Sequence, residues 1–361
     1  MVEWLAGNRI RGTNTERTTG AGFNPVPAGV NGIGGWVELG RTTLESAGDN
    51  IDVSSLSDKR YYMVLHDVKP SGSVWTENTF NNDITGGNTA NRRSVDGGTD
   101  ALQTSANYIY TSASQTTPMF GVYNIANLAG KEKLQIYHNV MGNTAGAGTA
   151  PRRYEASGKW DNTSNPISTF NLHNGNASGD FGIGSEAVVL GWDPTDTHTT
   201  NFWEELASVD LSGGAANNID SGTITAKKYL WVQYYTEQST DSDFLITFNG
   251  DDSSGNYARR YSNDGGTDIT SGTSQNNFTQ VSRTANLPQF TNMFIINNSA
   301  NEKLIIAHTV YQMTAGEETA PARWEAVGKW DNTSEQITSM NIKSGSGNLA
   351  SKTILKVWGS D

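Results

Sequence analysis

Two histidines at matching places in the chain are the first residues that could do chemistry. His138 lies in Ile136-Tyr-His-Asn-Val140, and His308 lies in Ile306-Ala-His-Thr-Val310. Paired imidazoles are common metal ligands, but neither segment places a second histidine or a carboxylate at ligand spacing on its own strand. Imidazole also hydrogen-bonds readily when half buried. We therefore expect both histidines to be structural residues of a β-sheet.

Oxygen-rich loops are the second group of candidates. One is Asn249-Gly-Asp-Asp-Ser-Ser-Gly-Asn256, and a shorter one is Asp49-Asn-Ile-Asp52. Calcium takes roughly six to eight oxygen ligands and can use such loops. Neither loop follows the EF-hand spacing, so the sequence predicts no metal site. The residues that a calcium ion would use here are Asp251, Asp252 and Asn256.

Other catalytic patterns are missing from the sequence. A hydrolase needs paired carboxylates, or a nucleophile with a base and an orienting group, and no recognisable set of this kind is present. The sequence also lacks a Gly-x-Ser-x-Gly elbow, a phosphate-binding loop and a dinucleotide fingerprint. We therefore expect no catalytic residue, no cofactor and no enzymatic activity.

The chain contains one domain-length unit twice. Gly158-Lys-Trp-Asp-Asn-Thr-Ser164 recurs 170 residues later as Gly328-Lys-Trp-Asp-Asn-Thr-Ser334. Four further blocks recur in the same order: Trp36-Val-Glu-Leu39 as Trp203-Glu-Glu-Leu206, Asp96-Gly-Gly-Thr-Asp100 as Asp264-Gly-Gly-Thr-Asp268, Lys131-Glu-Lys-Leu134 as Asn301-Glu-Lys-Leu304, and Thr144–Arg153 as Thr314–Arg323. This period is far longer than a solenoid or propeller repeat. The sequence predicts an N-terminal arm at residues 1–35, domains at 36–193 and 203–361, and a linker at 194–202.

The composition indicates that each domain is all-β. Charged residues make up 17% of the chain, and it contains 39 glycines. Gly and Asn suit tight turns, while β-branched and aromatic residues suit pleated strands. Runs such as Phe244-Leu-Ile-Thr-Phe and Ile337-Thr-Ser-Met-Asn-Ile alternate as half-buried strands do. We predict two tandem antiparallel β-sandwich domains, jelly-roll-like, and read Asp96–Asp100 and Asp264–Asp268 as tight turns.

The charge and the cysteine content limit which binding partners and which cellular compartment we expect. The formal net charge is −12, which disfavours binding to nucleic acid or an anionic membrane. The chain has no cysteine, which favours synthesis in a reducing cytoplasm. Its N-terminus lacks an apolar signal region, and no apolar run approaches the roughly 18 residues of a membrane span.

The order of the strand-like words in the second unit resembles a known module. These words are Lys228-Tyr-Leu-Trp-Val, Ile246-Thr-Phe-Asn-Gly-Asp251, Gly328-Lys-Trp-Asp and the closing Leu355-Lys-Val-Trp-Gly359. They resemble a β-sandwich module of structural proteins from tailed phages and archaeal viruses. The resemblance implies a non-enzymatic virion protein, either a head-decoration protein or a spike or fibre subunit, located in the virion after synthesis in the host cytoplasm. It also implies a homo-oligomer, typically a trimer in spikes and fibres, that contacts other capsid or tail proteins.

The arm is where such a protein would hold its neighbours. Trp4, Arg9, Ile10 and Arg11 are its anchoring candidates, because an extended segment can add to a sheet edge of another subunit. A disordered tail is the alternative interpretation. The alternative function is carbohydrate binding, with host-surface glycan as the partner, since aromatic side chains can stack on sugar rings.

Overall fold

The computed structural model describes residues 35–193, 196, 201–280, 285–317 and 319–361. Within these ranges the protein is all-β, with 23 strands in four antiparallel sheets and no helix. Two sheets form a sandwich from residues up to Trp192, and two form a second sandwich from Glu204 onward. The all-β sandwich fold that the sequence predicts is thus confirmed. No helix of the described part is long and apolar enough to cross a membrane.

The first domain pairs a large sheet with a small one. The large sheet has the order β1-β12-β3-β8-β9-β10-β5-β6, and the small sheet has the order β2-β11-β4-β7. The strands are β1 (Val37–Thr43), β2 (Asn50–Ser54), β3 (Tyr61–Val68), β4 (Thr76–Phe80), β5 (Thr89–Val95), β6 (Ala101–Ala106), β7 (Ile109–Tyr110), β8 (Met119–Ala126), β9 (Lys133–Met141), β10 (Arg152–Trp160), β11 (Thr169–Asn174) and β12 (Glu186–Trp192).

The second domain repeats this arrangement among its described residues, except that its large sheet has seven strands and no counterpart of β6. Its large sheet has the order β13-β23-β15-β19-β20-β21-β17, and its small sheet has the order β14-β22-β16-β18. The strands are β13 (Glu204–Asp210), β14 (Asn218–Asp220), β15 (Tyr229–Thr236), β16 (Phe244–Phe248), β17 (Tyr257–Asn263), β18 (Phe278–Gln280), β19 (Gln289–Ile296), β20 (Lys303–Tyr311), β21 (Ala322–Trp330), β22 (Met340–Ser344) and β23 (Ile354–Ser360).

The repeated word Gly158-Lys159-Trp160 shows how alternation builds each sandwich. Gly158 faces the small sheet, where an added Cβ would lie 2.9 Å from Ile109. Trp160 is fully buried on the same inner face, and its indole N–H donates to Asp83 at 2.8 Å. Lys159 lies between them on the outer face and is exposed. In this word the glycine lets the two sheets approach closely, the tryptophan fills the core, and the lysine places a charge on the outer face.

The two Asp-Gly-Gly-Thr-Asp segments are tight turns, as their glycines predict. Asp96 and Gly97 have φ of 55° and 69°, and Asp264 and Gly265 have φ of 53° and 71°. Consecutive residues with positive φ are typical of the hairpin turns that match the twist of the flanking strands. Gly97 and Gly265 adopt this backbone without the steric cost of a side chain.

One predicted strand starts later than we expect from the sequence. We predict a strand over Ile337–Ile342, but strand β22 begins at Met340. Apolar and polar residues alternate only from Met340, because Thr338 and Ser339 are both polar. The side-chain oxygen of Asn249 accepts the backbone N–H groups of Thr338 and Ser339, at 2.8 and 3.1 Å. A side chain here takes the place of a neighbouring strand, and the two consecutive polar residues Thr338 and Ser339 mark this position in the sequence.

A third apolar core lies between the two domains, outside both sandwiches. It forms where the outer faces of the two large sheets pack on each other, and we call this contact the junction. Its buried residues are Met63, Leu65, Phe120, Val122, Val140, Val188, Leu190, Phe202, Trp203, Tyr229, Phe294, Ile296, Leu304, Ile306, Val327 and Trp358. The outer face of an antiparallel sheet commonly meets water. Here both outer faces are apolar, and the two domains form one packed unit.

Candidate functional site at the domain junction

Large aromatic and aliphatic side chains fill the centre of the junction. Tyr229 of the second domain lies against Phe120 of the first, with ring centroids 6.3 Å apart. Phe202 and Trp203, which join the two domains in sequence, are buried at the same place. The Phe202 backbone N–H donates to the carbonyl of Trp36 at 2.9 Å. Each large side chain buried in this way contributes about 1.5–3 kcal/mol relative to exposure to water.

Arg153 is the central charge on one side of this core. Its guanidinium bridges to the second domain through Asp268 at 2.5 Å and Glu325 at 3.2 Å. It also contacts Glu155 of its own domain at 2.8 Å. Arg153 and Asp268 are both almost fully buried. A buried charge needs a partner of opposite sign, so these residues fix the first domain on the second.

Lys329 forms a second polar bridge from the second domain. Its ammonium group is fully buried and donates to the carbonyls of Gly142 at 3.1 Å and Thr144 at 2.5 Å. Glu302 lies beside it, and its carboxylate accepts the backbone N–H of Gly146. The loop at residues 142–147 of the first domain therefore receives both a cation and an anion from the second.

Glu186 anchors the opposite edge of the junction. Its carboxylate accepts the Tyr229 hydroxyl at 2.7 Å and the Lys228 ammonium at 3.0 Å. Burial would raise the pKa of Glu186, but hydrogen bonds and the charge of Lys228 outweigh it and lower the pKa. Asp67, next to it, accepts Asn298 at 2.9 Å. Three ion-pair or hydrogen-bond groups thus surround the apolar centre.

The structure brings His138 and His308 together at the middle of the junction. Their ring centroids are 4.3 Å apart, and the two imidazoles meet edge to face. Burial, and then the neighbouring His138, lower the pKa of His308 to about 3, so its imidazole is neutral at pH 7. The expectation that these are structural residues within separate sheets missed this contact, because each histidine lies on a different domain.

Glu155 completes a group of three side chains that could ligate a metal. One ligand atom each from His138, Glu155 and His308 lie within 4.8 Å of one another, and among the described residues this is the one such group. Histidine nitrogen and carboxylate oxygen are zinc ligand types. However, the Arg153 guanidinium already contacts the carboxylates of Glu155 and Glu325. Burial would raise the pKa of Glu155, but His138 and Arg153 lower it to about 2. Arg153 thus supplies the positive charge that this group needs.

The calcium candidates of the second domain have a structural use. Asp251 accepts the indole N–H of Trp330 at 2.7 Å and the amide of Asn256 at 2.8 Å. Its other oxygen accepts the backbone N–H of Ser253 at 3.0 Å, while Asp252 is exposed. Asp83, Asn88 and Trp160 repeat this arrangement in the first domain. The loop therefore serves to hold a core tryptophan, and the expectation that no metal binds there stays a prediction.

A separate polar pocket lies at the edge of the first domain. Glu77, Trp75 and Tyr108 line a cavity of about 410 Å³. Burial raises the pKa of the Glu77 carboxyl to about 7. His173 lies 3.8 Å from Glu77 and stacks on Tyr108 with centroids 4.9 Å apart. The second domain has Leu245 and Lys343 at the positions of Glu77 and His173, so this pocket belongs to the first domain alone.

The arm candidates Trp4, Arg9, Ile10 and Arg11 lie outside the described residues. The residues that build the junction were missed at the sequence level. Lys159 and Lys329 occupy the same outward position of the repeated word, but Lys159 is exposed and Lys329 is buried. An outward charge is also what a solvated face carries, so the repeated charge did not indicate that the two outer faces meet.

Comparisons with known proteins provide no family. The sequence matches no family model and no curated protein. The solved structures that resemble it include domains LG4–5 of the mouse laminin α1 chain, at 9% identity and TM-score 0.18, covering 91% of this chain and 90% of that one. Neisserial surface protein A is similar at 7% identity and TM-score 0.13, covering 80% of this chain and 99% of that one. TM-scores this low support no conclusion about fold or function.

Substitution of Arg153 tests the junction. Arg153→Ala removes the cation that Asp268 and Glu325 share, and leaves the nearly fully buried Asp268 with the more distant Arg260, at 3.7 Å. Removing one partner of a buried ion pair costs about 3–5 kcal/mol. We expect a fall of this order in the free energy of unfolding, measured by denaturant titration.

Arg323 provides the matched control, because it occupies the same position in the second domain and is exposed. Arg323→Ala should change the free energy of unfolding by no more than about 0.5 kcal/mol. Equal losses in the two variants would show that Arg153 has no special role at the junction.

Proposed function

We propose that this chain is a non-enzymatic structural subunit of a virion surface, either a head-decoration protein or a spike or fibre subunit. The proposal includes anchoring to neighbouring subunits through the N-terminal arm, with other capsid or tail proteins as partners. Synthesis takes place in the host cytoplasm before assembly. The proposal combines the sequence resemblance with the way that the two domains are joined.

The observation that carries the proposal is the junction. Two sandwiches packed through apolar outer faces, with buried ion pairs such as Arg153–Asp268, make one stiff block. Interfaces of this apolar type resemble a domain core cut in half and are typical of permanent assemblies. A stiff, acidic block suits a role in which the protein carries load on a particle and remains soluble before assembly.

The repeated words support a scaffold role as well. Trp160 and Trp330 hold their carboxylates through equivalent hydrogen bonds, of 2.8 and 2.7 Å. Duplication has thus retained core anchors and turns in both copies. The polar pocket at Glu77 is not duplicated, which favours the scaffold as the shared purpose of the two domains.

Mass spectrometry of purified virions from an infected culture tests this function. We expect peptides from both domains in intact particles, in amounts comparable to those of other structural proteins. Detection of the chain in the infected lysate but not in purified virions would overturn the proposal.

Carbohydrate binding is the second candidate function, and the pocket at Glu77 favours it. Trp75 and Tyr108 are partly exposed aromatics beside a carboxyl and an imidazole. Sugar sites combine an aromatic platform with a few polar groups that fix orientation. The ligand would be a host-surface glycan.

A glycan array with purified protein tests the second candidate. We expect binding that is lost in both Tyr108→Ala and Glu77→Gln. Tyr235→Ala, which changes a partly exposed aromatic of the other domain, should bind as the unmodified chain does. Failure to bind any glycan, or equal binding by all variants, would contradict this function.

A further inference from the structure

The junction uses opposite ends of the same surface in the two domains. On strands β9 and β10, Val140 pairs with Arg153 and Leu134 pairs with Lys159. On β20 and β21 the equivalent pairs are Val310 with Arg323 and Leu304 with Lys329. In each domain His138 or His308 lies midway. We call the two ends of this outer surface the Arg end and the Lys end.

Burial shows that the contact is one-sided. The first domain buries its Arg end, where Val140 is fully covered, whereas Val310 of the second domain is 45% exposed. The second domain buries its Lys end, where Leu304 and Ile306 are covered. The equivalent Leu134 and Ile136 of the first domain are 54% and 57% exposed. Each domain therefore leaves free the end that the other one uses.

The free ends keep the charges that the junction uses. Six charged residues of the junction each have a counterpart of identical type on an exposed surface. These pairs are Arg153 with Arg323, Asp268 with Asp100, Arg260 with Arg92, Asp96 with Asp264, Lys329 with Lys159, and Glu302 with Glu132. Arg323 is 60% exposed. A repeated contact requires these charges at the exposed positions, and both copies retain them.

The receiving loop is also repeated. Lys329 enters the loop at residues 142–147, and the equivalent loop at 312–317 keeps the word Thr314-Ala-Gly. Met313 to Glu317 of this loop are exposed. One part of the contact is not repeated, since Ile354 stands at the position of Glu186. There the repeated contact would be apolar instead of an ion pair, and Ile354 is exposed.

The free Lys end of the first domain lies beside an open groove. The groove has a volume of about 870 Å³, and those of its lining residues that the structure describes all belong to the first domain, including Leu102, Leu134, Ile136 and Trp192. Exposed apolar side chains that lie side by side in this way mark an interaction site. Because the surface continues the pattern of the junction, its natural occupant is another Arg end.

We propose that a second copy of this chain docks on the first, with the Arg end of one copy's second domain on the Lys end of the other copy's first domain. Arg323 would then contact Asp100 as Arg153 contacts Asp268, and Lys159 would enter the loop at 312–317 as Lys329 enters the loop at 142–147. This inference rests on the proposed function, because it names the partner in the assembly. A contact between unlike surfaces closes into a ring or extends as a filament.

Cysteine cross-linking tests the docking directly, because the natural chain contains no cysteine. Chains with Asp100→Cys are mixed with chains with Arg323→Cys and treated with a short bismaleimide. Both positions are exposed, so neither change disturbs a core. We expect a covalent product of two chains that either variant alone does not form. Arg323→Cys mixed with Ser253→Cys, which lies on a different exposed loop, should give no such product.

A second pair separates failure of the docking from failure of the junction. Arg153→Cys with Asp268→Cys in one chain should cross-link within the monomer. If it does so while the mixed chains give no two-chain product, the docking is wrong, and the virion experiment still decides the proposed function. A single chain carrying Asp100→Cys and Arg323→Cys that cross-links internally at high dilution would also overturn the docking, since its two free ends would then meet each other.

Discussion

The apolar outer faces of the two large sheets are the constraint from which the rest of the structure follows. Packing the two sheets of one sandwich together buries only their inner faces. Strands such as β8 and β20 are also apolar on their outer faces. Such faces cannot stay in contact with water without a large loss of free energy. Packing the two outer faces on each other joins the two domains into one unit. It also excludes water from the charged side chains around the apolar centre, such as Arg153 and Lys329.

Because water is excluded from the junction, burial determines how those charged groups pair and which protonation state they adopt. The chain is acidic overall, yet Arg153 and Lys329 are buried among carboxylates and carbonyls of the opposite domain. A buried charge is tolerated only when it is paired and hydrogen-bonded. The same environment keeps His308 neutral and holds Glu155 ionised beside Arg153. The histidine pair is therefore part of a contact in which the buried charges are balanced, and burial keeps His308 neutral within it.

Local pattern predicted the fold class, the repeated unit and the Asp-Gly-Gly-Thr-Asp turns, because turn chemistry and alternation act over a few residues. The prediction placed the start of β22 too early, at Ile337, because it passed over two consecutive polar residues whose N–H groups the side chain of Asn249 accepts. Local pattern also could not show that His138 contacts His308. Alternation shows that a strand has two faces but not which partner each face meets, and that choice depends on how two whole domains pack. Lys159 and Lys329 occupy the same outward position of the repeat, yet of these two only Lys329 is buried in the contact.

The most direct test of a rigid junction is a distance measurement between spin labels, one on each domain. Cysteines introduced at Ser46 and Ser253 place a label on an exposed turn of each domain of a chain that has no other cysteine. Pulsed electron paramagnetic resonance should give one narrow distance distribution, because the packed outer faces fix the two domains. A broad distribution would mean that the domains move independently, and would contradict the account of the junction.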